Sequence, residues 1–154
     1  MIDAPGYADF IGEIRQAIRV ADAAIIVFDA VSGVEVGTEL VWKYADEYGL
    51  PRLAFINKID RENADFARTL EQIRERMGQR VVAIQIPIGS QDKFQGVVDL
   101  VRMRAYLGSR GEESDIPTEL LAEAESFREK LVEAVAEQDD ALIEKYLEGE
   151  EITN

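Results

Sequence analysis

RLAFINKID, residues 52–60, passes from a short apolar run directly into Asn57-Lys58-Ile59-Asp60. A run of that length with no alternation reads as a strand covered on both faces, which is the habit of parallel sheets. Asn57–Asp60 then lies at the carboxyl end of the strand, where open α/β folds bind their ligands. Working outward, AAIIVFDA, 23–30, is a second run of the same kind. Between the two, the loop VSGVEVG leads to Thr38 as the expected N-cap of a helix ending near Tyr48-Gly49, where glycine suits a left-handed C-cap. Pro51 punctuates the turn into the second strand.

Upstream, Phe10, Ile11, Ile14, Ala17, Ile18 and Ala21 follow the 3.6-residue period of a helix with one buried face. Downstream, Phe66, Leu70, Ile73 and Met77 form one stripe of a helix closed by Gly78, with Arg68, Glu71, Arg74 and Glu75 on its outer side. VVAIQIPI, 81–88, is a third strand candidate. Helices alternating with strands predict a parallel sheet with helices on its faces. Beyond Pro87 the pattern changes. GVVDLVRMRAY, 96–106, is expected as one strand with a solvated face, 108–114 as a polar turn, and Pro117 as the start of a long acidic helix. Leu120, Leu121, Ala124, Phe127, Leu131 and Val135 would form its apolar side, and a shorter helix around Leu142, Ile143, Tyr146 and Leu147 would follow.

The 154 residues contain 31 acidic and 17 basic side chains, a net charge of −14. From Glu112 onward there are 15 acids against Arg128, Lys130 and Lys145, so nearly all of the imbalance lies there. Such a region repels the phosphates of nucleic acid, which argues against DNA as a partner, and attracts a basic protein surface. The plainer reading of it is a solvated face that keeps the protein soluble. The absence of Cys and His excludes disulfides, a thiol nucleophile, a histidine base and the commonest zinc sites. Any metal would need oxygen ligands, as magnesium or calcium do. No stretch reads as a signal peptide or a membrane span, so no membrane partner is expected.

Two short stretches have chemistry to offer. Asp60 can accept two charge-assisted hydrogen bonds from the N1–H and exocyclic amine of guanine, a donor pair that adenine lacks. Asn57 can bond to the base or hold neighbouring loops, and the aliphatic stem of Lys58 can cover the ring. Asp3-Ala4-Pro5-Gly6 pairs an acid able to reach magnesium through water with a glycine whose N–H can come close to a phosphate. Each pattern alone is also an ordinary turn signature. Together, at strand ends and in this order, they point to a nucleotide.

DAPGYADF, FDAVSGVE, VWKYADEYGLPRLAFINKIDRENADF, QIPIGSQDKFQGVVDLV and KYLEGEE resemble the GTPase domain of translation elongation factor G over essentially the whole chain. The resemblance implies a P-loop GTPase-type, doubly wound, mostly parallel α/β core over residues 1–86. Residues 87–154 would begin the α+β subdomain that factor G inserts into that core. It implies GTP or GDP and magnesium as ligands. Asp3 and Gly6 would sense the γ-phosphate and magnesium, with Asp3 holding the metal through water, while Asn57, Lys58 and Asp60 would select guanine. It also implies a cytoplasmic protein working on the ribosome, against large-subunit RNA and the stalk protein, with the acidic helix at 118–138 as the stalk contact.

Two departures qualify the match. Tyr7 stands where the family has the histidine that positions the attacking water, and a phenol does not reproduce an imidazole titrating near neutrality. An aromatic packed beside a turn is the other role open to it. No Gly-x-x-x-x-Gly-Lys-Ser/Thr loop occurs, so the phosphate cradle is missing, as is the Ser-Ala loop that completes the guanine pocket. The resemblance therefore implies an internal piece, inactive alone and prone to self-associate through an uncovered apolar edge. Two other readings stay open: a standalone binding module acting through its acidic helices, and a ribosomal protection or release-factor type of GTPase.

Overall fold

The computed structural model describes residues 1–6, 8–78, 80–138 and 142–143. The chain divides into two compact units, Met1–Gln79 and Arg80–Asn154.

In the first unit a single 3-10 turn, Ala8–Phe10, leads into helix α1, Ile11–Val20. Strand β1, Ala24–Asp29, helix α2, Val36–Glu47, strand β2, Arg52–Asn57, and helix α3, Phe66–Met77, follow. The strands β1 and β2 pair in parallel from Ala24 opposite Arg52 to Asp29 opposite Asn57. Each crossover between parallel strands needs a long connection, which α2 supplies here. Ile14 and Ile18 of α1 pack with Ala45 and Leu50, joined by Ala4, Val41 and Tyr44. Phe28 is fully buried on the inner side of β1 and meets the edge of Trp42 with ring centroids 6.4 Å apart.

The opposite side of the pair is open. Ile25 stands beside Leu53 and Val27 beside Phe55, and all four are exposed. The near-continuous apolar runs thus cover one face within the described residues and leave a second apolar face to solvent.

Helix α2 begins one turn earlier than Thr38 predicts. Glu35 is its N-cap, and Thr38 occupies the third helical position, closing a capping box in which its hydroxyl accepts from the Glu35 amide at 3.0 Å. At the other end Gly49 has φ +60, as expected for a left-handed cap. Asp65 caps α3 by accepting from the Arg68 amide at 2.9 Å, and Leu70 and Ile73 are buried along the predicted stripe, joined by Thr69.

The second unit holds a four-stranded antiparallel sheet in the order β3 (Gln85–Ile88), β4 (Gly96–Asp99), β5 (Arg104–Leu107), β6 (Glu112–Ser114). The third strand candidate therefore does not join β1 and β2. Only its second half is a strand, and it pairs with β4. Within it Ile86 and Ile88 are buried. Pro87, which has no N–H, is accommodated because β3 lies at the edge of the sheet.

The single strand expected over 96–106 is a hairpin. Asp99 accepts from the amides of Val101 and Arg102 at 2.9 and 3.0 Å, and Met103 turns the chain with φ +52. The polar 108–114 stretch also divides, since its end forms β6 and pairs with β5. There Arg104 bridges Glu113 at 2.9 Å and also contacts Asp115, which offsets the low strand propensity of the acidic edge.

Helix α4, Thr118–Ala136, starts after Pro117 as expected and buries Ala124 and Leu131. Leu121 and Val135 are exposed, contrary to the predicted stripe. Arg128 donates to the carbonyls of Leu100 and Val101, both at 2.6 Å, and so fastens α4 to the β4–β5 turn. The short helix expected around Leu142 to Leu147 lies largely outside the described residues. No helix of the described residues is long and apolar enough to cross a membrane.

Candidate functional site

The loops that leave β1 and β2 meet at the carboxyl end of the parallel pair. Ala30 extends the ladder by donating to the Asn57 carbonyl at 2.9 Å. The Asn57 side-chain oxygen accepts from the Lys58 amide at 2.8 Å, which fixes its orientation and leaves its NH2 group without a partner among the described residues. Lys58 has φ +61, a left-handed conformation that costs a residue bearing a Cβ of the order of 1–2 kcal/mol. A turn bond from the Arg61 amide to the Lys58 carbonyl, 3.1 Å, closes the loop behind it.

The Lys58 ammonium is anchored by Asp29 at 2.6 Å. Asp29 divides its carboxylate: Oδ2 takes the lysine, while Oδ1 accepts from the amides of Val31 and Ser32 at 2.8 and 3.2 Å. The lysine hydrogen bond, and after it the Val31 amide, hold this carboxyl below its ordinary value of 3.8, against a smaller opposing effect of burial. Asp29 was not among the residues singled out by sequence. The available signal was an acid closing an otherwise apolar strand.

Helix α3 braces the loop after β1. Arg68 donates to the carbonyls of Ala30 and Val31 at 3.1 and 2.7 Å. Gln72 accepts from the Val34 amide at 3.1 Å, and Arg76 spans from the Val34 carbonyl to Glu39 at 2.9 Å. Gly33 is favoured here by its φ of +75, and a Cβ there would also displace the end of the Gln72 side chain that accepts from Val34.

Asp60 is exposed, and no described residue bonds to its carboxylate. A fixed loop thus presents one oriented amide and one free carboxylate, a donor and acceptor set that fits a planar base with an adjacent pair of N–H groups.

Asp3 and Gly6 are also exposed. The Gly6 carbonyl lies beside the first turn of α2, where a Cβ built on Gly37 would stand 3.5 Å from it. Gly6 itself has neither a positive φ nor any atom within 4 Å of where its Cβ would be, so nothing within the fold demands glycine there. No hydrogen bond or ion pair among the described residues links Asp3 or Gly6 to the 57–60 loop. Tyr7 lies outside the described residues. No cluster of three or more acidic side chains able to hold a metal occurs among the described residues. Asp3 is a single carboxylate, which fits magnesium bound mainly by water and phosphate rather than by a protein cage.

The model of the elongation factor Tu GTP-binding domain matches residues 1–151. The chain belongs to this family. A crystal structure of a protein from Thermus thermophilus superimposes on it with a TM-score of 0.88 and 42% identity, over 99% of this chain and 23% of that one. The chain thus spans less than a quarter of the length of that solved relative. The mixed α/β fold with its parallel pair is that of a P-loop GTPase domain, and the elongation-factor GTP-binding family is one of translational GTPases that bind guanine nucleotides.

Proposed function

We propose that this chain is part of the GTP-binding domain of a translational GTPase of the elongation factor G type, in which Asn57, Lys58 and Asp60 select guanine. The observation that supports it most is the free Asp60 carboxylate beside the oriented Asn57, on a loop at the carboxyl end of a parallel strand. Asp60 accepts from N1–H and the exocyclic amine, the Asn57 NH2 group donates to the base, and the Lys58 stem covers its face. The stretch from Pro87 to Asp99 favours factor G over protection or release factors.

Asp3 would hold magnesium through a bound water, and Gly6 would let its N–H approach the terminal phosphate. Magnesium, when bound, neutralises charge on the phosphate oxygens. Tyr7 would stand where the family's water-positioning histidine does, and its phenol could donate a hydrogen bond there without the imidazole's titration near neutrality. In the full-length protein the work is done on the ribosome in the cytoplasm, and the exposed Glu125, Glu129 and Glu133 of α4 face a basic stalk protein. The uncovered face of Ile25, Val27, Leu53 and Phe55 supports self-association of the segment when it is isolated, which sedimentation would reveal as a concentration-dependent mass.

The test is base exchange in the full-length gene product. Asp60→Asn converts an acceptor pair into one acceptor and one donor, which suits xanthine, whose C2 bears an oxygen. Each charge-assisted bond lost is worth about 1.5–3 kcal/mol. GDP affinity should fall by roughly 100-fold while xanthosine diphosphate binding appears. A variant that keeps its preference for GDP sinks the proposal.

A further inference from the structure

We infer that Asp29 is the positioning residue of the guanine site, holding the Lys58 side chain through Oδ2 while Oδ1 fixes the loop from which it acts. This rests on the reading of Asn57–Asp60 as the base-selecting loop. The geometry is specific. Lys58 is the second residue of that loop, in a left-handed conformation that its own chain does not favour, and its ammonium reaches back to the end of the neighbouring strand. More than half of the Lys58 side chain is exposed, and Asp29 is its one ion-pair partner among the described residues. Its direction is set by Asp29, 2.6 Å away, and Asp29 closes β1 just before a loop braced by Arg68 and Gln72 of α3.

A lysine stem lying over a base contributes only if it is already extended when the base arrives. A free lysine would lose rotamer freedom on binding, so tethering its head lowers the cost of association. The effect is independent of which exocyclic group the base bears, because a stem covers any purine face alike. Asp60 behaves differently, since it reads the amine.

This difference defines the experiment, carried out on the full-length gene product with GDP and with inosine diphosphate, which lacks the amine. Asp29→Asn keeps Oδ1 for the Val31 and Ser32 amides and replaces Oδ2 with an NH2 that cannot accept from Lys58. It should weaken both nucleotides by the same factor, about threefold to tenfold given the exposure of the pair. In a Lys58→Ala background the same substitution should change neither. Asp60→Ala, in contrast, should abolish the preference for GDP over inosine diphosphate. Wild-type affinity in Asp29→Asn overturns the inference alone, provided Asp60→Ala behaves as stated. Equal weakening by Asp29→Asn with and without Lys58 also overturns it, because Asp29 would then act on the fold and not through the lysine. If wild-type protein does not distinguish the two nucleotides, the base-selecting loop is lost and the inference with it.

Discussion

Strands β1 and β4 both end on an aspartate that divides its carboxylate in the same way. At Asp99, Oδ1 accepts from the amides two and three residues on, at 2.9 and 3.0 Å, and Oδ2 pairs with Arg102 at 3.1 Å. At Asp29, Oδ1 does the same at 2.8 and 3.2 Å, but Oδ2 pairs with Lys58 from the end of another strand. The turn chemistry is identical, and only the origin of the cation differs. A cation three residues away completes a hairpin and affects nothing else. One that arrives 29 residues later couples two loops, so the same local device becomes part of a site.

The largest effect is expected from Asp99→Ala. Asp99 is 7% exposed, and its loss leaves two amides and a guanidinium without their acceptor. That should cost about 2–3 kcal/mol in urea unfolding, with no change in nucleotide affinity. Weakened nucleotide binding would break the contrast between the two turns. Asp29→Ala should cost less, about 1–2 kcal/mol, since its side chain is more exposed, yet it should weaken nucleotide binding where Asp99→Ala does not.

Arg102→Gln isolates the local cation. Two-thirds of the Arg102 side chain is exposed, so a loss under about 1 kcal/mol is expected. A loss as large as that of Asp99→Ala would mean that the ion pair, and not the two amides, closes the turn. The smallest effect concerns acid. Because the folded pKa of Asp29 lies below its ordinary 3.8, its contribution is complete above that value and disappears as pH falls through the lower folded one. Asp29→Asn should therefore flatten the acid limb of the stability curve below about pH 4 and leave its neutral region parallel to wild type. An unchanged acid limb would remove Asp29 from the list of acid-sensitive ties.

The parallel pair, α3 and the left-handed cap at Gly49 were legible because period, run length and glycine act within a few residues. So was the Asn57–Asp60 loop, whose residue types and strand-end position are both local. The hairpin at Asp99 was not, since parity along 96–106 is indifferent to a side chain that folds back on its own backbone. Residues 85–88 have the composition of a core strand, and which sheet they join depends on a partner that local pattern does not name. Strand β6 was missed because two glutamates hide an edge that Arg104 stabilises from the neighbouring strand. Asp29 was in view, but its partner is at Lys58, and the consequence of the pair exists only once β1 and β2 lie side by side.

Pro87 has a further consequence, for how this protein meets others of its kind. The antiparallel sheet has two outer strands, β3 and β6, and either would be a template for a stranger's backbone if left plain. On one, Pro87 removes a donor from the row that an incoming strand would read. On the other, Glu112 and Glu113 set like charges against any second copy, which would bring the same two acids. The sheet is therefore closed to growth from both sides by two different means, one a missing hydrogen and the other a surplus of charge.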